Sequence, residues 1–269
     1  MIDIVTFVLV LAATGAVSGV IAGLLGVGGG IVIVPVLYYL LPAADVPEEV
    51  RMHLAVGTSL ATIIATSAVS ARSHHRRGGV DVSLLRSLAP AIAIGVIAGV
   101  AFGGVASGEA LTAVFGTVAL IVSIHMAFFQ GRRIAPALPG RPGRDAIGFL
   151  IGAVSVVMGI GGGTLSVPTF TLFGMEIRRA VGTAAAIGLI IAIPGAVGFA
   201  AAGWRAEGLP PGSVGYVNLV GFALLAPLSM SLAPLGARLA HTIPRVWLAR
   251  AFALFLGITG VRMIWSLVG

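Results

Sequence analysis

Charge-free apolar runs alternate with short polar loops along almost the whole chain. A transmembrane helix needs about 20 mostly apolar residues, at 1.5 Å rise each across roughly 30 Å of hydrocarbon. Ile4 to Leu25 meets that length without a single charge, whereas the apolar stretch Ile31 to Leu41 offers about half of it. After the polar loop Pro42 to Arg51, with Asp45, Glu48 and Glu49, full spans are expected over Leu54 to Ala71, Ser87 to Gly108 and Ala110 to Phe129. A basic, proline-rich connector from Gln130 to Arg144 follows, and then the order recurs. Ala146 to Met158 leads into a second short segment, Thr164 to Gly174, before the runs Ala180 to Ala202, Ser213 to Ala237 and Val246 to Val268. Arg250 and Arg262 sit near the ends of the last run, where long side chains reach the headgroups.

The recurrence is closest at its centre. Gly26-Val27-Gly28-Gly29-Gly30 and Pro35 reappear 133 residues later as Gly159-Ile160-Gly161-Gly162-Gly163 and Pro168. Ala55-Val56-Gly57-Thr58-Ser59 matches Ala180-Val181-Gly182-Thr183-Ala184, and Phe115 and Met126 are echoed by Phe252 and Met263. The chain therefore reads as a duplication: a first repeat over 1–130, a cytoplasmic connector over 131–144 and a second repeat over 145–269. The expected fold is an all-α integral membrane protein of two homologous halves in an inverted-repeat arrangement. Each half holds a glycine-broken helical hairpin and three spanning helices.

Composition agrees with the membrane reading. The chain is 58% hydrophobic and 9% charged with a mean hydropathy of +1.10, against about 25% charged residues in soluble domains. The net charge of +7 comes from arginines confined to short loops, a pattern of membrane topology rather than of nucleic-acid binding. If each hairpin returns to its starting side, the halves are antiparallel and all but Arg51, Arg205 and Arg262 of the 16 arginines lie inside. A parallel arrangement leaves six outside, so the positive-inside rule favours inversion, with both termini outside the cell inner (plasma) membrane. Met1-Ile2-Asp3 lacks the basic start of a cleaved signal peptide, and the first run is expected to be a retained span.

Three successive glycines at bilayer depth run against helix propensity, since each costs about 1 kcal/mol relative to alanine in a helix interior. Irregular backbone is tolerated there only where it is buried in protein or lines a wet cavity, and two such breaks at matching positions point to a transporter's central site. Amides freed at Gly28, Gly29 and Gly30 and at Gly161, Gly162 and Gly163, with the positive end of the short helix that follows, suit an anion. The hydroxyls of Thr58, Ser59, Thr164, Ser166 and Thr183 are the side chains that could join them, because they donate without adding a buried charge. Asn218 and Gln130 are weaker candidates. The short helices could start at the glycines or at Pro35 and Pro168. Glycines also permit close helix packing, and membrane hydroxyls often bond their own helix carbonyls.

Nothing in the sequence calls for a cofactor or a metal. With no cysteine, no H-E-x-x-H, no G-x-S-x-G and no carboxylate pair within a span, an embedded enzyme has only His125 as a candidate base. His125 otherwise reads as a helix-end or packing residue, and His53, His74, His75 and His241 read as loop residues.

The doubled GxGGG-x4-P motif at Gly26 to Pro35 and Gly159 to Pro168, the Gly-Thr-Ser stretch at 57–59 with its counterpart at 182–184, and the phenylalanine-led last span of each half resemble the TauE/SafE family of sulfite and organosulfonate exporter-type permeases. The resemblance covers nearly the whole length. It implies secondary transport of small sulfur-containing anions, such as sulfite, sulfoacetate or related sulfonates. The implied partners are that anion and membrane lipid, with no nucleic acid; homo-oligomerisation is left open. The second copy departs at Ala184, where Ser59 stands in the first. A proton-coupled carboxylate permease and a channel-like anion pathway are the alternatives.

Overall fold

The computed structural model describes residues 4–128, 133–239 and 245–267. The first half contributes α1 (Ile4–Leu25), α2 (Gly30–Leu40), α3 (Glu48–Arg76), α4 (Val82–Val105) and α5 (Gly108–Phe128). The second contributes α6 (Arg141–Val157), α7 (Gly163–Leu172), α8 (Ile177–Ala202), α9 (Leu219–Leu239) and α10 (Arg245–Trp265). Among the described residues, six helices are long and apolar enough to cross a membrane: α1, α3, α4, α5, α8 and α9.

Element boundaries depart from expectation at several helix ends: α3 runs on through the basic stretch to Arg76, and α4 already starts at Val82. The loop before α3 is shorter than its polarity suggests, because Leu41–Ala44 winds as a 3-10 turn and Glu48 and Glu49 form the first turn of α3, where acidic side chains favour the helix dipole. The end of the connector, from Arg141, is already helix; Gln130 and Arg132 lie outside the described residues. The run from Ser213 opens as a tight hairpin, pairing Ser213 with Asn218 and Val214 with Val217, before α9 starts at Leu219. Gly212 (φ 78°) and Gly215 (φ 54°) supply the left-handed backbone that this turn needs.

Helix α3 is the axis of the molecule: 72% of its apolar window is buried, against 33 to 50% in the other five spans. It packs along α8, with Leu60 near Gly195, Ser67 near Gly188 and His74 near Gly182, so the two helices run antiparallel. The outer pair α5 and α10 is antiparallel too, with Gly116 against Gly260 and the Ser123 hydroxyl donating to the Ala253 carbonyl at 2.7 Å.

The remaining contacts exchange between halves. Helix α1 packs on α9 as α6 packs on α4, and α4 touches α8 as α9 touches α3. Both first-named pairs meet through small residues four apart. On α1, Gly15, Gly19 and Gly23 face the backbone of Leu225, Ser229 and Ala233; on α4, Gly95 and Gly99 face Phe149 and Ala153. A Cβ at Gly15 would stand 2.6 Å from the Leu225 carbonyl oxygen, so glycine here permits an approach no side chain allows. Pro90 and Pro227 occupy the ninth residue of α4 and of α9. The faces left outward carry Ile94, Ile97, Ile121, Val197 and Leu254, all more than half exposed, as a lipid-facing surface requires.

Candidate functional site

Both glycine clusters break the helix, and the breaks match at two positions. Gly26 (φ 68°) and Gly29 (φ 79°) correspond to Gly159 (φ 65°) and Gly162 (φ 72°), while Gly28 (φ 75°) is left-handed and its counterpart Gly161 is not. A left-handed residue with a Cβ costs roughly 1–2 kcal/mol, which is why this backbone selects glycine. The short helices start at the glycines, not at the prolines: Gly29 caps α2 and Gly162 caps α7, with Pro35 and Pro168 inside the helices.

Each capping glycine turns its carbonyl back into its helix. Gly29 accepts from Val32 and Ile33, and Gly162 from Leu165 and Ser166. Among the described residues, the amides of Gly28, Gly29, Gly30 and Ile31 donate to no protein acceptor, nor do those of Gly161, Gly162, Gly163 and Thr164. All eight residues are buried. Buried amides left in this state are rare, and successive N–H groups around a left-handed residue form a concavity suited to an anion.

The two breaks touch. A Cβ at Gly28 would lie 3.3 Å from the Gly161 Cα, and one at Gly161 would lie 3.2 Å from the Gly28 Cα. A Cβ at Gly30 would meet the Ser59 hydroxyl at 2.8 Å. The glycines thus bring the two halves together backbone to backbone at the level of Ser59 to Ser67 on α3.

The hydroxyls named from sequence divide into two groups. Thr58 accepts from the Asn218 amide at 2.9 Å, and Thr183 accepts from the Asp81 amide at 2.9 Å. Asn218 and Asp81 are equivalent residues that cap α9 and α4 by accepting from Gly221 and Leu84, so each threonine fastens a helix start of the other half. Ser59 donates to the Gly159 carbonyl at 2.7 Å and Thr66 to the Gly28 carbonyl at 3.1 Å, which hold the loops in place. Thr164 and Ser166 form the second group: both are buried, and neither hydroxyl has a partner. Sequence reasoning missed Thr66, Ser67, Ser70 and Ser155, buried hydroxyls in the same region. The clustering of the first three on α3 at intervals of one, three and four was the available signal.

His53, His74 and His75 lie within α3 rather than in loops, because that helix starts before and runs on past its apolar stretch; His53 is buried and His75 exposed. The ring nitrogens of His53 lie 3.2 Å from the Glu49 carbonyl and 3.0 Å from that of Ala106, and its ring stacks on Tyr216 at 4.7 Å. His241 lies outside the described residues. An exposed ion pair, Arg179 to Asp81 at 3.0 Å, ties the start of α8 to the cap of α4.

Paired, unwound glycine loops meeting at matching positions in a helical membrane protein are the arrangement found at the central sites of secondary transporters. The family model for the sulfite exporter TauE/SafE matches residues 11–263, and the chain belongs to that family of membrane transporters. It is 36% identical over 259 residues to a probable membrane transporter protein of Haemophilus influenzae, covering 96% of this chain and 98% of that one. It is 28% identical to the probable membrane transporter protein YunE of Bacillus subtilis over 70% of this chain and 76% of that one. A probable membrane transporter protein of Methanocaldococcus jannaschii is 24% identical over 93% of this chain and 92% of that one. No solved structure matches the sequence.

Proposed function

We propose that the protein is a secondary transporter, an exporter of small sulfur-containing anions such as sulfite, sulfoacetate or related sulfonates, across the cell inner membrane. The anion is held by backbone amides and helix N-termini at the glycine breaks, and access alternates as one part of the bundle rocks against the other. The observation that carries this reading is the coincidence at one place of buried, unbonded amides with the unpartnered hydroxyls of Thr164 and Ser166. These are neutral donors, and neither α2 nor α7 contains an acidic residue. Such a lining favours an oxyanion over a cation. The family's name supplies the sulfur chemistry.

The halves are proposed as an inverted repeat, residues 1–130 and 145–269 joined by a connector on the cytoplasmic side. Support comes from equivalent helices running antiparallel in direct contact, α3 beside α8 and α5 beside α10. Gly79, just past the end of α3, also lies against the Arg178 carbonyl. This supports a common side for the arginine-rich ends of both halves, and the termini are proposed to lie outside.

The test is flux in proteoliposomes. Gly162→Leu and Gly29→Leu are expected to abolish uptake of sulfite and sulfoacetate by protein that still elutes as folded, and wild-type uptake is expected to saturate and show counterflow. Undiminished flux in both variants refutes the site, and flux without saturation or counterflow refutes alternating access.

A further inference from the structure

The two halves are duplicated in sequence but unequal in polarity where they meet. On α7, Thr164 and Ser166 stand where α2 carries Ile31 and Ile33. On α3, Ser59, Thr62, Thr66, Ser67 and Ser70 stand where α8 carries Ala184, Ile187, Ile191, Ala192 and Gly195. The hydroxyls near the first break are occupied: Ser18 bonds the Gly15 carbonyl and the Ser229 hydroxyl, each at 3.0 Å, and Thr66 bonds Gly28. Around the second break, Thr164, Ser166 and Ser67 are 2% exposed or less and have no partner.

Ser67 comes from the other half, yet it reaches the second break. A Cβ at Gly188 on α8 would stand 2.5 Å from the Ser67 Oγ and 3.0 Å from the Gly161 carbonyl oxygen, so both line one notch over Gly188. The neighbouring notch, over the helix cap Gly162, is lined by Ile191, Ile187 and the Ser166 Oγ, the last 3.9 Å from where a Cβ would sit. Gly161 and Gly162 are consecutive, as are Ile187 and Gly188, so the two notches adjoin.

Building on the anion-transport reading, we propose that the two breaks are not equivalent. The second alone forms the oxyanion subsite, with Ser67 as its third hydroxyl donor beside Thr164 and Ser166. The first break is a structural seal whose polar side chains are already consumed. The ligand the subsite takes is a small oxyanion with at least two free oxygens, which three neutral hydroxyls and the α7 N-terminus satisfy without a counter-cation. Because Ser67 and Thr164 belong to different halves, the subsite exists only while α3 and α7 are held together, which links its occupancy to the relative position of the halves.

Binding of sulfite and of sulfoacetate to purified full-length protein, by titration calorimetry, tests this. Ser67→Ala, and the size-matched poor donor Ser67→Cys, are expected to weaken Kd roughly ten- to hundredfold, the range for losing a hydrogen bond to a charged group. Ser166→Ala is expected to do the same, and Ser18→Ala at the first break to leave Kd unchanged. Thermal midpoints without ligand confirm that each variant is folded. If Ser166→Ala weakens binding while both Ser67 variants match wild type, or if Ser18→Ala weakens it equally, the inequality of the breaks is overturned and the transport reading stands. If wild type binds neither anion, both fall.

Discussion

Alanine at three left-handed glycines separates the cost of the backbone from the cost of the space around it. Gly78 (φ 70°) follows α3 with nothing within 4 Å of where a Cβ would sit, so Gly78→Ala meets only the backbone penalty, about 1–2 kcal/mol. At Gly162 a Cβ would stand 2.6 Å from the Ile191 Cδ1, the far end of a flexible side chain. Its displacement adds about 0.5–1.5 kcal/mol for an off-rotamer torsion, giving about 1.5–3.5 kcal/mol in all. At Gly29 a Cβ would stand 2.7 Å from the Ser18 carbonyl oxygen and 2.9 Å from its Cβ, atoms fixed in α1. Overpacking against a rigid wall costs about 1–3 kcal/mol beyond the backbone penalty, so Gly29→Ala should lose about 2–5 kcal/mol. Unfolding in a graded denaturing-detergent titration, followed by circular dichroism, reads the order directly: Gly78→Ala least, Gly162→Ala intermediate, Gly29→Ala most. Equal losses at Gly29 and Gly78 would show that the first break is not packed as tightly as described.

Other perturbations probe the joints between the halves. Ser59→Ala strips the Gly159 carbonyl of its buried donor and should cost about 1–3 kcal/mol in the same titration. Asp81→Ala removes the α4 cap and should cost about 1 kcal/mol, whereas Asp81→Asn keeps a capping oxygen and Arg179→Ala loses only an exposed ion pair, so each of these should cost less. Gly15→Leu drives a side chain into the α9 backbone and should cost about 3 kcal/mol or more, seen as loss of monodisperse protein. The chain has no cysteine, so single cysteines at Arg76 and Arg178 can be labelled without background. Both should react from the same side of sealed vesicles; reaction from opposite sides rules out the inverted arrangement.

The long helices are legible in the sequence because span length and charge exclusion leave little choice in lipid. The first span, for instance, ends at Leu25 in sequence and in structure alike. The glycine breaks are legible because the motif occurs twice in register. Their internal geometry is not: whether helix begins at Gly30 or at Pro35 depends on the left-handed turn at Gly29, which composition does not encode. Thr58 and Thr183 look like ligands when seen only as membrane hydroxyls, yet each accepts an amide from the opposite half, a contact separated by more than a hundred residues. Ser67 escapes notice for the converse reason. It sits in a hydroxyl cluster with Thr66 and Ser70, but its proximity to Gly161 arises only when α3 lies antiparallel to α8, which that cluster does not encode. The start of α9 is displaced from expectation because Ser213 to Asn218 is apolar enough to pass for a span, while its hairpin rests on Gly212 and Gly215.

The central claim is that an anion sits on the donors of the second glycine break. Crystals of the protein grown with selenite, a heavier isostere of sulfite, would locate it by the anomalous signal of selenium. The account predicts one principal peak within hydrogen-bonding reach of the Gly163 and Thr164 amides and the Thr164 and Ser166 hydroxyls. A peak elsewhere in the protein, or none at a concentration that inhibits sulfite flux, would contradict it.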